Sequence, residues 1–266
     1  MAGENRFPST AEGLMAVLKV LRGPDGCPWD KAQTRHTLTA HLAGECAELI
    51  DAVDKEDPVS ICDEAGDVLM NLFLQIAIAE EKGEFVLADV WQNEIAKMVR
   101  RHAHIFGDEK AGTAEEVTAL WEKIKAGERA GKPVAESILD DVPHYLSALT
   151  RAEKLQKKAA KVGFDWEDQT GIMAKIREEV SELEAAVQTG EEAAIDEELG
   201  DLIFAAVNLI RFRKRSDSEA LLRQANLKFE KRFRFIEKSL KAAGESWESV
   251  GIERMEALWQ AAKKGE

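Results

Sequence analysis

Two stretches decide the fold: GECAELIDAVDKEDPVSICDEAGDVLM at residues 44–70 and EEVSELEAAVQTGEEAAIDEELGDLIF at residues 178–204. Glu45, Glu48, Glu64 and Asp67 in the first recur as Glu179, Glu182, Glu198 and Asp201 in the second, each 134 positions later. Residues three apart on an α-helix lie about 60° apart around its axis, so each ExxE or ExxD pair projects from one face. Breakers separate the pairs, Asp57-Pro58 in the first stretch and Gly190 in the second. Each stretch therefore reads as a helical hairpin with two acids on each arm.

Working outward, the same periodicity continues. Leu38, Leu42, Leu49 and Val53 recur at helical spacing, as do Val68, Leu72, Gln75, Ile76 and Ala79. In the second half helices are predicted at about 171–188, 191–214, 218–243 and 252–263, with first-half equivalents near 85–102 and 114–127. No strand alternation emerges. The polar run KAGERAGKP, Lys125 to Pro133, reads as a linker. The expected architecture is all-α, two tandem modules of four or five helices forming bundles that associate as dimers. The expected boundaries are 1–126 for the first module, 127–142 for the linker and 143–266 for the second.

Composition narrows the partners. A formal net charge of −14 argues against nonspecific nucleic-acid binding. No apolar run reaches the roughly 18 residues of a membrane span, and MAGENRFPST has no signal-like n-region, so the expectation is a cytoplasmic protein with no membrane partner. Cys27, Cys46 and Cys62 read as small buried residues rather than disulfide partners.

Four carboxylates gathered between two helices repel one another unless a hard cation neutralises them. Oxygen-only ligands point to Mg²⁺, with Mn²⁺ as a substitute, and a di-iron bundle would need a Glu-x-x-His motif that neither stretch contains. Acids at this spacing also occur on solvated helix faces, but here the pattern is repeated together with matched cations. Lys97 and Arg101 recur as Lys228 and Arg232, and Trp121 and Lys125 as Trp259 and Lys263. Apolar neighbours such as Val180, Leu183, Leu199 and Ile203 place the acids beside a core. His41, one turn before Glu45, reads as a surface or capping residue.

With EExxE at 178–182 and ExxD at 198–201, GFDW at 163–166, NLKFEKRF at 226–233 and RHAHIFGD at 101–108, nearly the whole chain resembles the two-module form of the MazG family of nucleoside triphosphate pyrophosphohydrolases. The resemblance implies an all-α, usually dimeric enzyme that uses Mg²⁺ to hydrolyse NTPs and dNTPs to the monophosphate and pyrophosphate. Carried onto this sequence, it makes Glu179, Glu182, Glu198 and Asp201 metal ligands, and Glu178 the residue that orients or deprotonates the attacking water. Lys175, Lys228, Arg232 and Lys263 would contact the triphosphate, with Trp259 near the nucleoside. The first module keeps four potential ligands, Glu45, Glu48, Glu64 and Asp67, but has Gly44 where the second has Glu178. Hydrolysis is therefore expected mainly in the second module. The alternatives are a nucleotide-sensing regulator with little turnover, or a narrower enzyme of the dUTPase or phosphoribosyl-ATP pyrophosphohydrolase kind.

Overall fold

The computed structural model describes residues 6–129 and 136–265, and the chain divides into two compact units, residues 1–132 and 133–266. Among the described residues there are helices and no strands. In the first unit, α1 spans Ala11–Arg22, α2 Pro28–Ala32, α3 Leu38–Asp54, α4 Pro58–Glu81, α5 Leu87–Arg101, α6 Ala103–Phe106 and α7 Ala114–Arg129. In the second, α8 spans Ala148–Lys161, α9 Gln169–Thr189, α10 Glu192–Arg213, α11 Ser218–Ala243 and α12 Ile252–Lys264. The all-α reading holds. Of the expected linker, residues 127–129 continue α7, and 130–135 lie outside the described residues.

Each hairpin is defined by its caps. Asp57 accepts the Val59 amide at 3.1 Å with Pro58 at the first helical position, and Asp168 accepts the Thr170 amide at 2.7 Å to start α9. The arms α3–α4 and α9–α10 are joined by turns so short that they must run antiparallel. Glu182 sits about 12 Å of helix before Gly190, and Glu198 about 10 Å after it, so the turn brings them to the same level.

Gly190 closes α9 in the left-handed region at φ +71. Its counterpart 134 residues earlier is Glu56, which adopts the same hand at φ +54 while the Asp57 amide closes back onto the Ala52 carbonyl. A side chain in this conformation crowds the backbone in a way glycine does not.

The cores differ. α1 packs on α4, burying Met15 and Leu18 with Phe73, Leu74, Ile76 and Ala77. The equivalent packing of α8 on α10 leaves a cavity, described below, and a smaller cluster of Ile236, Leu240 and Leu258 joins α11 to α12. Two expectations fail. Val180, Leu199 and Ile203 are exposed rather than set in the core, and Leu183 is half-buried. Cys62 is also exposed, and Cys27 and Cys46 are half-buried.

Replacing Glu56 by glycine removes the left-handed strain at the α3–α4 turn. Glu56→Gly is expected to stabilise the first unit by about 0.5–1 kcal/mol. Urea denaturation checks this, and a lower midpoint for the variant contradicts it.

A candidate carboxylate metal centre beside an aromatic cavity

α9 and α10 bring Glu179, Glu182 and Glu198 together, with one carboxylate oxygen from each lying within 4.8 Å of the others. α3 and α4 do the same for Glu45, Glu48 and Glu64. Asp201 and Asp67 fall outside these tight triads, though each adds to the negative field on its neighbour. Desolvation, then the Glu182, Glu179 and Asp201 charges, push the Glu198 carboxyl up, and desolvation followed by Glu48 does the same to Glu64. Crowded oxygen donors that resist ionising together fit a hard divalent cation.

The two centres differ in their local cations. Lys175, one turn before Glu179, reaches Glu178 at 2.7 Å and the buried Glu179 at 2.8 Å. Those two carboxylates, Glu178 first, hold the lysine well above its ordinary pKa. Lys175, expected to contact the triphosphate, is bonded in this structure to two carboxylates of its own helix. The corresponding positions in α3 are His41 and Gly44, so both members of the Lys175–Glu178 pair are missing together. His41 meets the edge of Trp29, with ring centroids 5.5 Å apart.

Beside the second centre lies a cavity of about 730 Å³, whose wall includes Lys175, Glu179 and Asp201. α8 contributes Leu155, Gln156 and Ala159, and α10 contributes Phe204, Ala205, Asn208 and Arg211. The GFDW loop supplies Gly163, Phe164, Asp165 and Trp166 to the wall. Gly163 takes φ +90 there, and Gly171 lets Trp166 lie against α9, since a Cβ at residue 171 would stand 2.4 Å from the Trp166 ring. The loop is fastened by Arg211, nearly buried, whose guanidinium grips both oxygens of Asp165, and this bond holds the Asp165 carboxyl below its ordinary range. Arg211 in turn donates to Asn208 Oδ1 at 3.1 and 2.8 Å.

None of Gln156, Asn208, Arg211 or Asp165 was singled out from the sequence. The available signal was their register: Phe204, Asn208 and Arg211 continue the face of Asp201 at helical spacing. The same register in α4 reads Met70, Leu74 and Ala77, of which Leu74 is 0% and Ala77 2% exposed. Packed core thus occupies the first module where the second has a cavity.

Lys228, Arg232, Trp259 and Lys263 share the α11–α12 pair and are not part of the cavity wall. Arg232 lies over the Trp259 ring at 5.4 Å, and Phe229 approaches the same ring at 5.3 Å. In the first unit the equivalent Arg101 is bound by Glu128 at 2.7 Å, together with Arg100 at 2.6 Å.

Two repeated helical hairpins, each with a carboxylate triad whose oxygen donors suit a divalent cation, define an all-α class of protein. A family model described as the MazG nucleotide pyrophosphohydrolase domain matches residues 33–106 and again 167–234. The chain is 41% identical over 256 residues to a nucleoside triphosphate pyrophosphohydrolase of Escherichia coli K12, covering 95% of this chain and 97% of the relative. It is 38% identical to the nucleoside triphosphate pyrophosphohydrolase/pyrophosphatase MazG of Thermotoga maritima, covering 96% of each. A crystal structure of a MazG-related protein from Thermotoga maritima aligns with 43% of this chain and 98% of its own, at 29% identity and a TM-score of 0.38. The chain belongs to the MazG nucleotide pyrophosphohydrolase family, with its domain present twice.

The Arg101–Glu128 tie makes a pH-dependent prediction. Arg101, then Arg100, lower the Glu128 carboxyl from 4.5 to about 2 in the folded protein. Because the folded value is the lower one, the stabilisation is present above about pH 4.5 and is lost as pH falls through about 2. Glu128→Gln is expected to melt a few degrees below the unsubstituted protein at pH 7, with the gap closing on acidification. Circular-dichroism melts at several pH values decide it, and a gap independent of pH contradicts it.

Proposed function

We propose that this protein hydrolyses nucleoside triphosphates to the monophosphate and pyrophosphate, that it does so with Mg²⁺ or Mn²⁺, and that the second module carries the turnover. The observation that carries this reading is the juxtaposition, in that module alone of the two, of the carboxylate triad and Glu178 with a cavity of ligand size. Family membership supports the reaction, and the oxygen-only donor set supports the choice of ion.

Glu179, Glu182, Glu198 and Asp201 would hold the cation, which when bound supplies charge neutralisation for the phosphate oxygens. The reaction adds water across the anhydride joining the α- and β-phosphorus atoms. The water oxygen bonds to phosphorus, the P–O bond to the bridging oxygen breaks, and that oxygen leaves on pyrophosphate. Glu178, more than half exposed, is assigned to accept the proton of that water. Lys175, kept protonated by its two carboxylates, orients Glu178 and adds positive charge beside the phosphates.

Lys228, Arg232 and Lys263 are assigned to the phosphate chain. Trp259 is assigned to holding Arg232, because its ring is already flanked by that guanidinium and Phe229.

The first module is proposed to bind a cation through Glu45, Glu48, Glu64 and Asp67 without turning over nucleotide. Gly44 and His41 replace the Glu178–Lys175 pair, Leu74 and Ala77 fill the cavity positions, and Arg101 is engaged by Glu128. A homodimer is also proposed. Ile203 and Val187 in the second module, and Leu69 and Val53 at the same register in the first, are exposed apolar residues that a second copy would cover.

Incubation with Mg²⁺ and a panel of NTPs is expected to release pyrophosphate, with no orthophosphate as the first product, and to stop on chelation. Orthophosphate as the initial product rejects the mechanism. Glu182→Ala is expected to lower kcat by about a hundredfold or more, while Glu48→Ala leaves most turnover in place. Equal losses from the two substitutions reject the assignment to the second module.

A further inference from the structure

The cavity has a polar imperfection that the proposed phosphate chemistry does not use. Gln156, on α8, is 8% exposed and forms part of the cavity wall. Its Nε2 donates to the backbone carbonyl of Phe204 at 2.9 Å, which fixes the orientation of the amide, because only the NH₂ end can donate to a carbonyl. Its Oε1 is left buried with no hydrogen-bond partner. An acceptor stranded in this way is unfavourable unless a donor arrives.

Asn208, one turn of α10 beyond Phe204, shows the complementary arrangement. Its Oδ1 is saturated by two bonds from Arg211, so its NH₂ group is oriented as the free end and can donate. Both amides are thus fixed before any ligand binds, one with an unpartnered acceptor that the wall still covers and that a ligand reaches by displacing its neighbours, the other with a donor end. The wall also carries the aromatic rings of Phe164, Trp166 and Phe204, apart from the charged groups Lys175, Glu179 and Asp201 of the carboxylate centre. A flat heterocycle with an N–H beside a ring or carbonyl acceptor matches this combination. A phosphate, which has no such donor, does not.

We infer that Gln156 and Asn208 read the hydrogen-bonding edge of the nucleobase, with Gln156 Oε1 accepting a base N–H and Asn208 Nδ2 donating to the neighbouring acceptor. This rests on the reading of the second module as a nucleotide site and assigns the end of the substrate opposite the phosphates. Arg211 is a positioning residue in it, holding both Asn208 and the aromatic loop through Asp165. The first module has Leu74 at the register of Asn208, so it presents no amide to a base there.

Methylated bases test the donor directly. UTP and N3-methyl-UTP, and GTP and N1-methyl-GTP, differ in one ring N–H. The unsubstituted protein is expected to favour each parent by about tenfold or more in kcat/KM, the value of one buried hydrogen bond. Gln156→Met, which keeps the length of the side chain without its polar atoms, is expected to lose most of that preference. Equal kcat/KM for parent and methylated nucleotides in the unsubstituted protein overturns the inference. So does a preference that survives undiminished in the folded Gln156→Met variant, its fold checked by circular dichroism. Calorimetric binding of the same nucleotide pairs keeps the two readings separate. Discrimination in binding without pyrophosphate release refutes the proposed reaction and upholds the base contact, whereas pyrophosphate release without discrimination does the reverse.

Discussion

Everything in the second module is arranged around the mutual repulsion of carboxylates held at one level of a two-helix hairpin. Glu179, Glu182 and Glu198 meet because the turn at Gly190 is short and because the acids lie at similar distances from it along their helices. Such crowding opposes ionisation, as the upward shift of Glu198 records. The fold answers it in part with Lys175, a cation supplied from the same helix and bonded to Glu178 and Glu179. A mobile divalent ion would answer the rest. The centre is thus partly neutralised in advance and still short of positive charge.

The two modules show what happens when this demand is kept and its surroundings change. Both hairpins retain the triad, with one carboxylate oxygen from each member within 4.8 Å of the others. Around the first, the space between α1 and α4 is closed by Leu18, Phe73 and Leu74, and Arg101 is tied to Glu128. Around the second, the same space is open and lined with amides and aromatic rings. Closing the cavity gives the first unit a larger core, whereas the second has a smaller cluster between α11 and α12 and a stranded amide oxygen beside its cavity. Stability and a binding cavity compete for the same residues, and each copy has settled on a different one.

The repeat, the helices and the acids were legible in the sequence because each rests on a local period: spacing by three and four, a breaker, and a constant offset. The cavity was not, because it depends on which side of α8 faces α10 and on how the GFDW loop folds back. The sequence of α8, ALTRAEKLQKKAAK, is dominated by charge, and neither α8 nor α1 stood out as an element. The apolar neighbours of the acids were misplaced for a related reason. Helical spacing shows that Val180 and Ile203 share a face with other residues, but not whether that face is covered, and here it is exposed. The Lys175–Glu178 pair sat in plain view at i, i+3, yet its meaning required seeing that Glu179 is buried beside it.

α10 also acts as a ruler. Asp201, beside the carboxylate triad, and Asn208, at the far wall of the cavity, belong to one unbroken helix, so their separation is fixed at about 10 Å of axial rise and cannot adapt to a ligand. A molecule engaging both must span that length between its anionic end and its hydrogen-bonding end. Substrates would then be sorted by reach as well as by chemistry, and one too short could satisfy either end but not both.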